Sequence, residues 1–244
     1  MWWASASTRP WIGDKMGDFA AWRTYFGPHR KGQYEAAMAG YTSAGAFDAP
    51  TPRAAYGVLL LRFGRFDEAL AVFDDLLKRP MKHQARSLAR INRALCRWKL
   101  GHGDEALDEL REVLSSYRTI ISYGCLGFVL LKMGQLDEAL RLSLEGLDFA
   151  HDEAILDNLG QISLAMGDVE AARKYFEEAL DRKENMVDAH YLLGTIAMGE
   201  GALDEAERHL NRAMECPITA LTTANHELIA AALADCVQCK SMVQ

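Results

Sequence analysis

A glycine-centred turn returns along this chain at almost constant spacing, and no other feature narrows its folding choices so far. At Gly64 the sequence runs Gly-Arg-Phe-Asp-Glu-Ala-Leu, and at Gly134 it runs Gly-Gln-Leu-Asp-Glu-Ala-Leu. Related turns begin at Gly32, Gly101, Gly167 and Gly201, so successive steps are 32, 37, 33, 33 and 34 residues. A fixed period of this length marks a chain built from one supersecondary unit stacked on copies of itself. A single such unit cannot bury its apolar face, so each copy depends on its neighbours.

Helical periodicity flanks every turn. The pattern predicts hairpins Arg53–Phe63 with Phe66–Lys78, His83–Leu100 with Asp104–Ser116, and Arg118–Met133 with Leu136–Phe149. Asp152–Met166 with Val169–Lys183 and Met186–Met198 with Leu203–Glu215 complete the series. A small residue in the first helix (Gly57, Ala94, Gly127, Gly160, Gly194) lets the second approach, and Phe73, Leu110, Phe176 or Leu210 fills the gap in several repeats. The turn glycine takes a backbone conformation that strains other residues. Asp or Glu in the first turn of each second helix suits the helix dipole, and their regular recurrence argues against paired acid–base catalysis.

These residues resemble the tetratricopeptide repeat family over residues 30–216, with one degenerate and five regular repeats. The resemblance implies an all-α fold, a right-handed superhelical solenoid of helical hairpins with N-terminal and C-terminal capping helices. Residues 1–29 then form a lead-in and an aromatic capping helix, and residues 217–244 a C-terminal capping helix, read as Thr219 to about Cys239. In the N-terminal helix, expected over Asp14–Phe26, Phe19, Trp22, Tyr25 and Phe26 form a stripe that caps the first repeat or meets a partner or membrane. Residues 1–13 are expected to be irregular, and Pro50–Pro52 are read as a separator between repeats.

The resemblance also implies a non-enzymatic adaptor or scaffold that binds a protein segment in a groove lined by the first helices. Mapped from the turn glycines, the groove-facing residues are Val58 and Leu61, then Ile91, Asn92, Leu95 and Trp98. Cys125, Phe128 and Leu131 follow, then Asn158 and Gln161 with Asp157 beside them, and finally Tyr191. The first three sets are mostly apolar and suit an apolar or amphipathic segment. The stretch Asn92-Arg93-Ala94 resembles the carboxylate clamp of co-chaperone domains, but Ala54, Val58, Ile121 and Cys125 stand where its other polar residues belong, so no clamp is expected.

The rest of the sequence narrows the chemistry. There is no Gly-x-Ser-x-Gly elbow, no phosphate loop ending in Gly-Lys-Ser/Thr and no His-Glu-x-x-His, so no enzyme and no cofactor is expected. Cys236-Val-Gln-Cys239 has metal-like spacing, but a structural zinc site wants four ligands and only Cys216 and His226 offer company. The pair is read as packing on one helix face, and no metal is expected. His190 and His209, on the two helices of one repeat, are placed to meet in a structural role. Five cysteines, odd in number, read as reduced thiols, which favours a cytoplasmic chain.

Charge supplies two competing readings. Residues 1–100 carry 16 Lys/Arg and 8 Asp/Glu, and residues 101–244 carry 11 and 26, which together give the net −7. Opposed ends of this kind permit self-assembly into a homo-oligomer. Arg86, Arg90, Arg93 and Arg97 line one helix face in a stretch without acids, as an RNA-associated module would. No stacking aromatics interleave with them and the chain is acidic overall, which disfavours nucleic acid. No run approaches the ~18 apolar residues of a membrane span. The opening Met1-Trp2-Trp3 nonetheless admits a membrane contact, or the soluble part of an anchored protein, because Trp favours the membrane interface.

Overall fold

The computed structural model describes residues 11–243, and among these are thirteen α-helices, one short 3-10 turn and no strand. The chain divides into two compact units, Met1–Cys96 and Arg97–Gln244. The irregular lead-in expected over residues 1–13, with the membrane contact read at Met1-Trp2-Trp3, lies mostly outside the described residues. Its last part, from Trp11, is already helical.

The first unit holds α1 (Trp11–Phe26), the 3-10 turn His29–Lys31, α2 (Tyr34–Ala44), α3 (Pro50–Arg62), α4 (Phe66–Leu77) and most of α5 (His83–Lys99). Its core is aromatic: Tyr41 stacks on Phe47 at 5.6 Å between centroids and tilts against Tyr56 at 5.5 Å. The face that α1 buries is the small one, through Gly17, Ala21 and Thr24. A Cβ on Gly17 would meet the Ala46 carbonyl oxygen at 2.0 Å, so only glycine permits this approach. The expected aromatic stripe is therefore split, with Tyr25 against the core while Phe19 and Phe26 remain exposed. Asp18 Oδ1 accepts from the Asp48 and Ala49 amides, both at 2.7 Å, and so satisfies free donors at the start of α3. Pro50 and Pro52 are not a separator. They open α3, where a missing amide proton costs nothing.

The second unit continues from the end of α5 through α6 (Gly103–Ser116), α7 (Ile120–Lys132), α8 (Leu136–Phe149), α9 (Glu153–Ala165), α10 (Val169–Arg182), α11 (Val187–Gly199), α12 (Leu203–Glu215) and α13 (His226–Val243). The hairpins follow the sequence pattern. Gly134 turns at φ 74°, in the left-handed region, and its counterparts at Gly167 and Gly201 do the same. Thr119 and Ser122 form a capping box that starts α7, and Asp152 and Asp168 cap α9 and α10. The small-to-large pairing is direct: a Cβ on Gly160 would lie 2.5 Å from Phe176 Cε1, and one on Gly194 would lie 2.7 Å from Leu210 Cγ.

The acidic residues that begin the second helices do more than face the dipole. Glu138 at the start of α8 takes Arg111 of α6 at 2.7 Å, and Glu205 at the start of α12 takes Arg173 of α10 at 2.8 Å. These contacts clasp one repeat to the next.

The last helix departs from expectation. Asn225 accepts from the Leu228 amide through its side chain and caps the helix, so α13 begins at His226 and not at Thr219. Ile229 and Cys236 of α13 are fully buried against α11 and α12, closing the core of the final hairpin. Residues 217–225 form a non-helical strap between α12 and α13.

Candidate functional site

The first helices of the second unit place one set of side chains on a common face. Trp98, near the end of α5, meets Phe128 of α7 edge to face at 5.3 Å and 81°. Lys99 Nζ stands 4.6 Å from the Trp98 ring centre, and Lys132 Nζ stands 5.3 Å from that of Phe128. Phe128 and Lys132 are four residues apart on one helix, which puts them on one face. Lys132 Nζ then donates to Gln161 Oε1 of α9 at 2.7 Å, and Gln161 Nε2 donates to Asp157 Oδ2, one turn earlier, at 2.7 Å.

The strap completes the arrangement. Asp188, at the start of α11, accepts the Thr223 amide on both carboxylate oxygens at 3.0 Å and the Ala224 amide at 2.8 Å. Lys132 Nζ donates to Thr223 Oγ1 at 2.7 Å, and that hydroxyl donates to Gln161 Oε1 at 3.2 Å.

Burial shapes the electrostatics of this face. It pushes the Asp157 carboxyl up to about 7, helped by the nearby charge of Asp188 and opposed by the Gln161 hydrogen bond and Lys132. Asp157 Oδ1 is buried without a hydrogen-bond partner. Burial also lowers the pKa of Lys99 and Lys132, while Asp188 works the other way on both. The face can hold an apolar side chain on the aromatic pair, a hydroxyl at Lys132 and Gln161, and backbone amides at Asp188.

Several residues read as groove-facing serve the core instead. Leu61, Ile91, Leu95 and Leu131 are buried, because the first helices also spend these positions on packing. Asn158 is buried and donates to the Gly124 carbonyl of α7 at 2.9 Å, tying α9 to α7. Tyr191 packs against Val187 and Ile229, under α13. In the first unit Val58 is exposed and Asn92 half-buried, bonded to the Leu88 carbonyl of its own helix. Cys125 is half-buried on α7. Of the expected positions, Trp98, Phe128 and Gln161, with Asp157 behind Gln161, join the face described above. Lys99, Lys132, Asp188 and Thr223 were not in that set. Lys132, four residues after Phe128, was the one readable signal.

The arginine face of α5 is internal wiring. Arg86 donates to the Leu77 and Arg79 carbonyls at the end of α4, where orphan acceptors await a cation. Arg93 bonds Asp74 at 3.1 Å, Arg97 bonds the buried Glu109 at 3.0 Å, and Arg90 is also engaged. The RNA reading required a solvated cationic face, and these contacts remove it. The two C-terminal thiols do not share a buried face: Cys236 is enclosed and donates to the Leu203 carbonyl, while Cys239 is exposed.

His190 and His209 do meet, with their Nδ1 atoms 3.0 Å apart and His190 Nε2 against the Glu184 carbonyl at 2.9 Å. The carbonyl fixes the proton on His190 Nε2, so His209 donates across the pair. Burial lowers both pKa values, that of His209 to about 4, and keeps the pair neutral. Among the described residues no group of three or more His, Cys, Asp or Glu side chains is placed to hold a metal, and no helix is long and apolar enough to cross a membrane.

Stacked helical hairpins with glycine turns and paired small and large residues define an all-α helical-repeat protein of the solenoid class. The chain belongs to the tetratricopeptide repeat family: one model of that description matches residues 55–119 and 158–217, and a second matches residues 118–185. No curated protein matches the sequence. Among solved structures, the chain is similar to a tetratricopeptide repeat protein of Parabacteroides merdae, with TM-score 0.72 and 18% identity over 94% of this chain and 86% of that one. It is also similar to a thermophilic tetratricopeptide repeat protein of Thermus thermophilus, with TM-score 0.64 and 21% identity over 78% of this chain and all of that one. The pilF protein of Pseudomonas aeruginosa gives TM-score 0.58 and 18% identity over 79% of this chain and 86% of that one. At these identities the likeness is one of fold. The repeats indicate a protein-interaction adaptor or scaffold with protein or peptide partners.

Proposed function

We propose that the chain captures a segment of a partner protein on the face built from Trp98, Phe128, Lys132 and Gln161, and that this capture, without catalysis, is its task. The observation that carries the reading is the edge-to-face Trp98–Phe128 pair, half-buried and flanked by two lysines. Half-exposed aromatic side chains supply large contact area at small entropic cost, which is why they dominate binding hot spots. An amphipathic segment satisfies the face, with its apolar side on the rings and polar groups at Lys132 and Gln161.

The test is the double substitution Trp98→Glu with Phe128→Glu. Affinity capture from the native organism loses its specific partner, while circular dichroism and the thermal midpoint of the variant stay near those of the parent. Partner capture that survives the double substitution rejects the reading.

A further inference from the structure

The strap between α12 and α13 carries the features of a bound peptide. Its amides at Thr223 and Ala224 run onto the Asp188 carboxylate, and the Thr223 hydroxyl bridges Lys132 and Gln161. Ala224 is fully buried, so the residue after the hydroxyl must be small. A local turn shapes the approach: Thr222 Oγ1 donates to the Thr219 carbonyl at 2.7 Å, and the Leu221 amide donates to Thr219 Oγ1 at 3.2 Å. Helices α7, α9 and α11 each contribute one wall residue: Asp188 reads backbone amides that any peptide offers, while Lys132 and Gln161 read a side-chain hydroxyl. Two backbone amides and one hydroxyl are all that the wall recognises.

Asp157 gives a second, independent sign that this wall is built for a ligand. Its side chain is more than nine-tenths buried, one carboxylate oxygen orders Gln161, and the other has no hydrogen-bond partner. A lone structural carboxylate is costly to bury, whereas one that orients Gln161 toward an incoming hydroxyl has a use. Thr223 itself is exposed, so a competing segment can reach the contact.

We infer that the strap is an internal ligand, and that the external ligand displacing it is an extended peptide with serine or threonine followed by a small residue, read by Lys132, Gln161 and Asp188. Through Lys132, which touches both Phe128 and Thr223, this hydroxyl-reading end adjoins the aromatic end of the same face. The inference rests on the proposed function and adds the chemistry and the regulation of that site: the partner binds in competition with the strap.

The probe is a labelled synthetic peptide with the sequence of residues 217–226, followed by fluorescence anisotropy against the full chain. Thr223→Pro removes both the amide donor and the hydroxyl from the strap. The peptide binds this variant at least tenfold more tightly than the parent, and adding Asp188→Asn reverses the gain. A second peptide with Thr223→Val loses at least tenfold in affinity. Equal affinity for parent and Thr223→Pro, no binding to a folded Thr223→Pro, or indifference to the valine change overturns the inference.

Should Thr223→Pro fail to fold, Thr223→Ala removes only the hydroxyl bridge. A gain of about threefold is then expected, and equal affinity counts against the strap as ligand. The two readings fail separately. Partner capture lost on Trp98→Glu with Phe128→Glu, together with a peptide indifferent to Thr223→Pro, removes only the inference. A peptide that follows Thr223→Pro, together with capture indifferent to the aromatic changes, removes only the proposed function.

Discussion

Asp157 shows how one buried carboxyl can cost stability. Burial and the neighbouring Asp188 raise its carboxyl pKa to about 7, well above its value in an unfolded chain. The folded state therefore holds a proton that the unfolded state has released between those two values. Stability from this group is fully present only below the unfolded value of 3.8 and is lost as the pH rises from there through about 7. Asp157→Asn, which keeps the shape and cannot ionise, should raise stability at pH 8 by on the order of 2 kcal/mol and change it little near pH 4. Urea midpoints of the two proteins at both pH values check this. Taking the difference between them cancels the opposite trend of the His190–His209 pair, whose neutral form is lost in acid. Equal differences at the two pH values would refute the account. Asp157 was visible in the sequence as an inward position, but its cost was not, because burial and the approach of Asp188 are properties of the packed state.

At the scale of the helix, fit decides more than propensity. Gly160 lies against the Phe176 ring so closely that an added methyl would sit 2.5 Å from Cε1. Gly160→Ala should cost about 1–3 kcal/mol through overpacking. Gly199, at the end of α11, has open space where a Cβ would go, and Gly199→Ala should be neutral or stabilise by up to about 1 kcal/mol through helix propensity. Thermal unfolding of the two variants separates the effects, and a similar loss in both would show that packing is not the cause. The pairing was readable in advance because small and large residues recur at fixed offsets from the turn glycine. The start of α13 was not readable in the same way. Residues 219–225 carry no strong helix breaker, yet Asn225 caps the helix and Asp188 draws the amides of Thr223 and Ala224 into the strap. An acceptor more than thirty residues away in sequence outweighed the local pattern.

Across the molecule, repeat proteins need their ends closed, because each repeat buries its face only on a neighbour. In the second unit α13 closes the end: Ile229 and Cys236 cover Val187, Ala213, Ala197 and Leu210. Lys240 of α13 reaches Asp204 and Glu207 of α12 at the rim. A chain ended at residue 216 should therefore expose this apolar surface and aggregate, as read by size-exclusion chromatography at matched concentration. A monodisperse truncated protein with an unchanged midpoint would show that α13 is no cap. The charge asymmetry persists once pairs are counted. Arg53 and Arg79 share Asp75 within the first unit, while Arg93 and Arg97 are held by Asp74 and Glu109. Of these pairs only Arg97–Glu109 draws on an acid beyond residue 100, so the net basic excess of the first hundred residues persists although several of its arginines are held in ion pairs.

The sequence alone determined the repeat, the helices and the close contacts between paired helices, since all are written within three or four residues of one another or at a fixed step from a glycine. It also marked Trp98 and Phe128 as groove-facing, and the folded chain sets the two rings edge to face. Which inward residues became core and which became surface was decided by tertiary packing, as the burial of Leu61, Ile91, Leu95 and Leu131 shows. The strap was decided there too. Lys132 and Thr223 are 91 residues apart, and no local periodicity relates a helix to a loop over that distance. Only folding brings the lysine, the glutamine and the hydroxyl together, because their hydrogen bonds form once the hairpins between them are stacked.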